Sequence, residues 1–119
     1  TLLCHATDVR VPEAIAASGA VCLPLPSGED GLDLRALMDH LAARQCNEIL
    51  VESGPRLAGA LLRAGLLDEL LVYMAPVLMG DLARPLLHLP LDSMSEKVAV
   101  EVADVRRVGQ DWRFTVLPV

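Results

Sequence analysis

Aromatic side chains are nearly missing from this chain: one Trp, one Tyr and one Phe among 119 residues leave no platform on which bases could stack. Positive charge is short as well. Lys and Arg number 10 against 16 Asp and Glu, a net charge of -6, and no basic run could neutralise a phosphate backbone. Nucleic acid is therefore not an expected partner. Long hydrophobic runs are also absent. The longest, Leu70 to Gly80, is too short to cross a bilayer and contains Pro76, so no membrane association is expected. The three cysteines, Cys4, Cys22 and Cys46, are an odd number, set far apart in or beside apolar runs. That usage reads as buried free thiols in a reducing, cytoplasmic compartment. No secretory leader is expected. Thr1 already begins a strand-like run in place of an initiator Met, and the sequence is expected to start inside a longer protein.

Several chemical signatures are missing too. There is no zinc deaminase pattern of H-x-E followed by P-C-x-x-C, no G-x-S-x-G elbow, no Walker loop and no G-x-G-x-x-G fingerprint. His5, His40 and His88 stand in unrelated contexts with no metal-ligand spacing, so no metal site is expected. What is abundant is apolar surface. At 53% apolar residues and this length, the chain is expected to be one globular domain, residues 1–119, with a large core.

The first half alternates strand-like and helical patterns. Thr1 to Ala6 reads as a strand, and Val11-Pro12-Glu13 opens a short Ala-rich helix that Gly19 can end. Ala20 to Leu25 is a second strand, stopped by Pro26-Ser27-Gly28. From Asp33 to Gln45, Leu34, Leu37, Met38 and Leu41 recur on one helix face, with Asp33 as N-cap. Glu48 to Val51 reads as a continuous apolar strand. Ser53-Gly54-Pro55 then turns the chain into a helix over Arg56 to Ala64, closed by Gly65. Beyond it the pattern becomes β-rich: Glu69 to Ala75 with a turn-bounded continuation over Val77 to Gly80, then Val98 to Val108 and Asp111 to Leu117 about a Gly109-Gln110 hairpin. Residues 81–97 lack a strong period and read as a long loop with one short helical turn. The fold class expected is α/β, a mixed sheet with parallel core strands, helical crossovers and a C-terminal antiparallel hairpin.

In such sheets ligands sit where a strand leads into a helix whose free N–H groups attract anions. Only Ile49 to Ala60 has that form here, with Gly54 permitting close backbone approach and Gly59 letting the helix lie near a neighbour or a ligand. The same Gly-Pro turn also serves purely conformational ends. Glu52, at the end of an apolar strand, is either a carboxylate with a hydrogen-bonding task or one that favours the helix dipole. Asp68 and Glu69 read as a solvated turn.

The run VESGPRLAGALLRAGLLDELLVYMAPVLMG, Val51 to Gly80, resembles the riboflavin biosynthesis reductase family, the C-terminal half of a bifunctional deaminase-reductase with a dihydrofolate-reductase-like fold. The V-E-x-G-P turn, the A-G-A-L-L helix, G-L-x-D-E-L before a strand and A-P-x-L-x-G after it occur in one order without gaps. The helix over Asp33 to Leu41 and the closing Val105 to Asp111 are similar as well.

The resemblance implies a reductase that uses NADPH to convert the ribosyl side chain of a phosphorylated aminopyrimidine to a ribityl chain. By the same resemblance Gly54, Pro55, Arg56, Leu57, Ala58, Gly59 and Ala60 would bind the cofactor phosphates, and Glu52 would contact the substrate. The nicotinamide C4 would have to lie close to C1′ of the ring-opened imine, with water excluded. No proton donor is assigned. The chain matches only the C-terminal half of such a reductase domain. The N-terminal half and the deaminase domain have no counterpart in it. A homodimer is expected. Two rival readings stand beside this one: a reductase of the same fold acting on another small molecule, such as a dihydrofolate-like substrate, and a non-catalytic assembly module that pairs through an exposed antiparallel edge near Trp112 and Phe114.

Overall fold

In the computed structural model, which describes residues 1–28 and 31–119, the chain divides into two units, Thr1–Leu50 and Val51–Val119. In the first unit β1 (Leu2–Ala6) and β2 (Val21–Leu25) pair in parallel, Leu2 opposite Val21 through Ala6 opposite Leu25. Parallel strands need a crossover. It is supplied by α1 (Glu13–Ala16), which starts after Pro12, where a missing N–H costs nothing. The Val21 N–H to Thr1 O bond (2.9 Å) and the Thr7 N–H to Leu25 O bond (3.1 Å) extend the ladder at its two ends.

The stop at Pro26-Ser27-Gly28 contains a further pairing. β3 (Ser27–Gly28) and β4 (Gly31–Leu32) form a small antiparallel ladder. Asp33 N–H then bonds Pro26 O at 2.8 Å, and α2 (Leu34–Ala43) follows. Asp33 caps α2 as expected, its carboxylate accepting from Ala36 N–H at 3.0 Å. At the other end Cys46 N–H reaches Leu41 O (3.1 Å) and Gln45 N–H reaches Ala42 O (2.8 Å), a Schellman closure. That closure puts Gln45 at φ 62°, a left-handed conformation disfavoured by a Cβ.

The second unit starts with α3 (Pro55–Arg63), which ends in the same closure. Leu66 N–H bonds Leu61 O, Gly65 N–H bonds Leu62 O, and a glycine at φ 64° occupies the left-handed position. The three strands β5 (Leu70–Met74), β6 (Val100–Val108) and β7 (Asp111–Pro118) make an antiparallel sheet in the order β5-β7-β6. Gly109 at φ 65° turns the β6–β7 hairpin. A single 3-10 turn at Met94–Glu96 is the short helical turn expected within 81–97.

The partial alternation in β6 has a structural cause. The ladder skips Ala103, so that Val102 faces Val116 and Asp104 faces Thr115. Paired residues share a sheet face, so this bulge keeps Val100, Val102 and Val105 together with Phe114, Val116 and Pro118. Leu70 and Val72 of β5 join the same face through Val116 and Phe114. On the other face the Arg113 guanidinium, with its side chain 18% exposed, bonds Asp104 Oδ2 at 3.2 Å.

Five expectations are corrected. Glu48 to Val51 is not a strand, and Leu50 is 80% exposed. A strand exists only through its ladder, and among the described residues nothing pairs with this segment. Val77 to Gly80 does not continue β5, which stops at Met74; Pro76 removes a donor there. Trp112 and Phe114 are on the middle strand, bonded on both sides, so they form no free edge; β5 and β6 are the edges. Cys46 is exposed, while Cys4 and Cys22 are half-buried, and all three are free. The core is small, not large: among the described residues only Leu25, Ala60 and Leu61 are buried apolar side chains.

Two stability measurements follow from these local contacts. Gln45→Gly removes the Cβ from a left-handed position, and urea unfolding of the intact protein is expected to gain about 0.5–1 kcal/mol, the steric relief exceeding the added chain entropy; a lower midpoint would show no strain at Gln45. Asp104→Ala takes away the carboxylate partner of a largely buried guanidinium whose Nε has no partner. Because Asp104 is itself half exposed, the expected loss is about 1 kcal/mol, well short of that for a fully buried pair.

Candidate functional site

The turn before α3 is set by two residues with opposite demands. Gly54 is the N-cap in extended geometry (φ -79°, ψ 173°), and Pro55 follows at the first helical position with its φ already suited to the helix. No side chain caps this end. The first helical bond runs from Ala58 N–H to Gly54 O at 3.2 Å. Pro55 has no N–H, so the amides of Arg56 and Leu57 are left without helical acceptors, and the dipole favours negative charge there.

A cleft of about 570 Å³ opens at this point, lined by Gly54, Pro55, Arg56, Leu57 and Arg84. Its size is within the range of small-molecule sites. Two arginines and no acidic residue belong to its lining. Of the residues singled out from sequence, Gly54 to Leu57 line the cleft, whereas Ala58, Gly59 and Ala60 lie further along α3 and do not. Glu52 is exposed and is not part of the lining.

Gly59 is buried, and its neighbour is backbone. A Cβ there would collide with the carbonyl oxygen of His88. The 81–90 segment is pinned at that residue from both sides: His88 N–H donates to Pro55 O at 2.9 Å, and the Arg63 guanidinium donates to His88 O at 2.9 Å. A tight turn, Ala83 N–H to Gly80 O at 3.0 Å, leads into the pinned segment and brings Arg84 to the cleft.

Sequence reasoning missed Arg84. It lies in an aperiodic stretch whose sole local signal is the turn chemistry between Gly80 and Pro85. The role of His88 was equally hidden, because its contacts are made by backbone and any residue type would offer them. A second cavity, about 300 Å³ and largely apolar, lies between Leu62 of α3, Leu70, Val100 and Val116 of the sheet, and Leu87 to Leu91 of the loop. It lacks converging polar groups, and Lys97 is the charged residue in its lining.

With a Cβ excluded by backbone, Gly59→Leu is expected to push the His88 segment off α3. The intact protein should lose about 1–3 kcal/mol, with faster exchange of the His88 amide. Unchanged protection at His88 would show that the loop tolerates the side chain.

Comparison with known proteins gives matches in sequence and in structure. The model of the RibD C-terminal domain family matches residues 3–114. The riboflavin biosynthesis protein RibD of Escherichia coli K12 is 48% identical over 90 residues, 75% of this chain and 24% of that protein. A 5-amino-6-(5-phosphoribosylamino)uracil reductase of Buchnera aphidicola (subsp. Acyrthosiphon pisum) is 30% identical over 88 residues, 73% of this chain and 42% of the relative. Among solved structures, Acinetobacter baumannii RibD superposes with a TM-score of 0.84 at 26% identity, over 99% of this chain and 31% of that one. The chain thus spans about a quarter of the length of the RibD sequences it matches.

Proposed function

The chain belongs to the RibD C-terminal domain family, and on that premise we propose that it is the C-terminal part of a reductase domain in riboflavin biosynthesis. In this reading the whole protein reduces the ribosyl side chain of 5-amino-6-(5-phosphoribosylamino)uracil to the ribityl form, with NADPH as reductant. The observation that carries it is the cleft at the start of α3: two amides without helical acceptors, a favourable dipole and a lining with two arginines, on a segment that the family model covers. A dinucleotide's linked phosphates fit such a donor set. A bound nicotinamide cofactor would supply the hydride.

The protein's own share is to bind and to orient. Gly54, Pro55, Arg56 and Leu57 hold the phosphates, with Ala58, Gly59 and Ala60 continuing the segment; Gly59 acts by admitting the His88 backbone that fixes the loop. Glu52, placed just before the turn, contacts the substrate hydroxyls or assists proton delivery. The rest of the domain covers the apolar side chains left open here, Ile49, Leu50 and Val51 among them. Each unit keeps unpaired strand edges on which further strands can extend a sheet. The reading includes a homodimer and a cytoplasmic location. Three free thiols suit a reducing compartment, and among the described residues no helix is long and apolar enough to cross a membrane.

Glu52→Gln in the intact protein is expected to lower reductase turnover at least about tenfold while leaving the NADPH dissociation constant within about twofold, since a charged hydrogen bond to substrate is lost and the phosphate site is untouched. Full turnover would remove Glu52 from the substrate site. A wild-type protein that binds no NADPH would remove the reductase assignment itself.

A further inference from the structure

Resting on that reading, we infer that Arg84 is the second cationic arm of the cofactor site and binds the dinucleotide's diphosphate together with Arg56 and the α3 amides. Four residues of the cleft lining come from one short stretch, Gly54 to Leu57; Arg84 comes from a separate loop and is that loop's one contribution to the lining. Among the described residues neither Arg56 nor Arg84 forms a salt bridge or a side-chain hydrogen bond. Two like charges lining one cleft repel each other. Acidic residues outnumber basic ones in this chain, yet none lies in the lining to offset that repulsion.

A diphosphate answers this arrangement. It brings roughly two negative charges and several acceptor oxygens to two guanidinium forks and two helix-end amides. The loop is also prepared for the task. His88 is tied to Pro55 and Arg63, the turn at Gly80 fixes the approach, and Pro85 restricts the backbone of Arg84 itself. Ordering Arg84 on the ligand therefore costs less entropy than it would on a free loop. The Gly59–His88 contact thereby gains a role in binding, since it joins the loop that bears Arg84 to the helix that bears Arg56.

The test uses the intact protein and calorimetric titration with NADPH and with NADH, the wild type beside Arg84→Ala and Arg84→Lys. The inference expects Arg84→Ala to raise both dissociation constants by a similar factor, about tenfold, because both nucleotides carry the diphosphate. Arg84→Lys should recover part of that loss, and the melting temperature without ligand should stay put, Arg84 being exposed. Inorganic pyrophosphate should compete with NADPH more weakly in Arg84→Ala than in the wild type. An unchanged constant for both nucleotides overturns the assignment, and so does a loss confined to NADPH, which would place Arg84 at the ribose phosphate. A wild type that binds neither nucleotide overturns the parent reading and this one with it. A wild type that binds both, with Arg84→Ala unaltered, overturns this one alone.

Discussion

The absence of a side chain at Gly59 lets the backbone at His88 lie directly on α3, and most of what the second unit offers a ligand depends on that approach. Pro55 O, which has no role in a sheet, accepts the His88 amide, and Arg63 satisfies the His88 carbonyl. Both partners come from the first and last turns of one helix. The loop is thereby clamped along α3. The same helix end keeps its Arg56 and Leu57 amides free, because Gly54 and Pro55 cap it without using a side chain. Loop position and anion-attracting helix end are set by one short stretch of sequence.

The sheets follow a different constraint. A strand is defined by its neighbours, and each unit keeps only the ladders it can build from its own segments: β1 with β2, β3 with β4, and β7 between β5 and β6. Glu48 to Val51 has the apolar composition of a central parallel strand but no ladder, and its side chains stand in the open. The long row of exposed Leu, Val and Met side chains has the same origin. Apolar composition dictates that these faces be covered; it does not supply the cover. The RibD sequences that the chain matches are about four times as long as the matched segment.

Much of the local structure was legible. Asp33 announces the start of α2, Gly65 the end of α3 and Gly109 the last hairpin, because each solves a backbone problem within a few residues of itself. The turn at Gly54 and Pro55 was legible for the same reason. Gln45 was not, since nothing in its chemistry favours the left-handed position that helix closure forces on it. The β6 bulge at Ala103 showed only as imperfect alternation, and the edge assigned to Trp112 and Phe114 failed because a hairpin does not reveal which of its strands takes a third partner.

The sequence by itself determined the helix boundaries, the antiparallel tail and the family, because capping, turn chemistry and a gapless run of motifs are properties of neighbouring residues. Tertiary structure alone decided that β7 is the middle strand, that Glu48 to Val51 stands without a partner, and that Gly59 serves the backbone of His88. It alone brought Arg84 to the cleft of Arg56. These are contacts between segments far apart in the chain, and no local periodicity encodes them, since they depend on which surfaces remain uncovered once the local elements have formed.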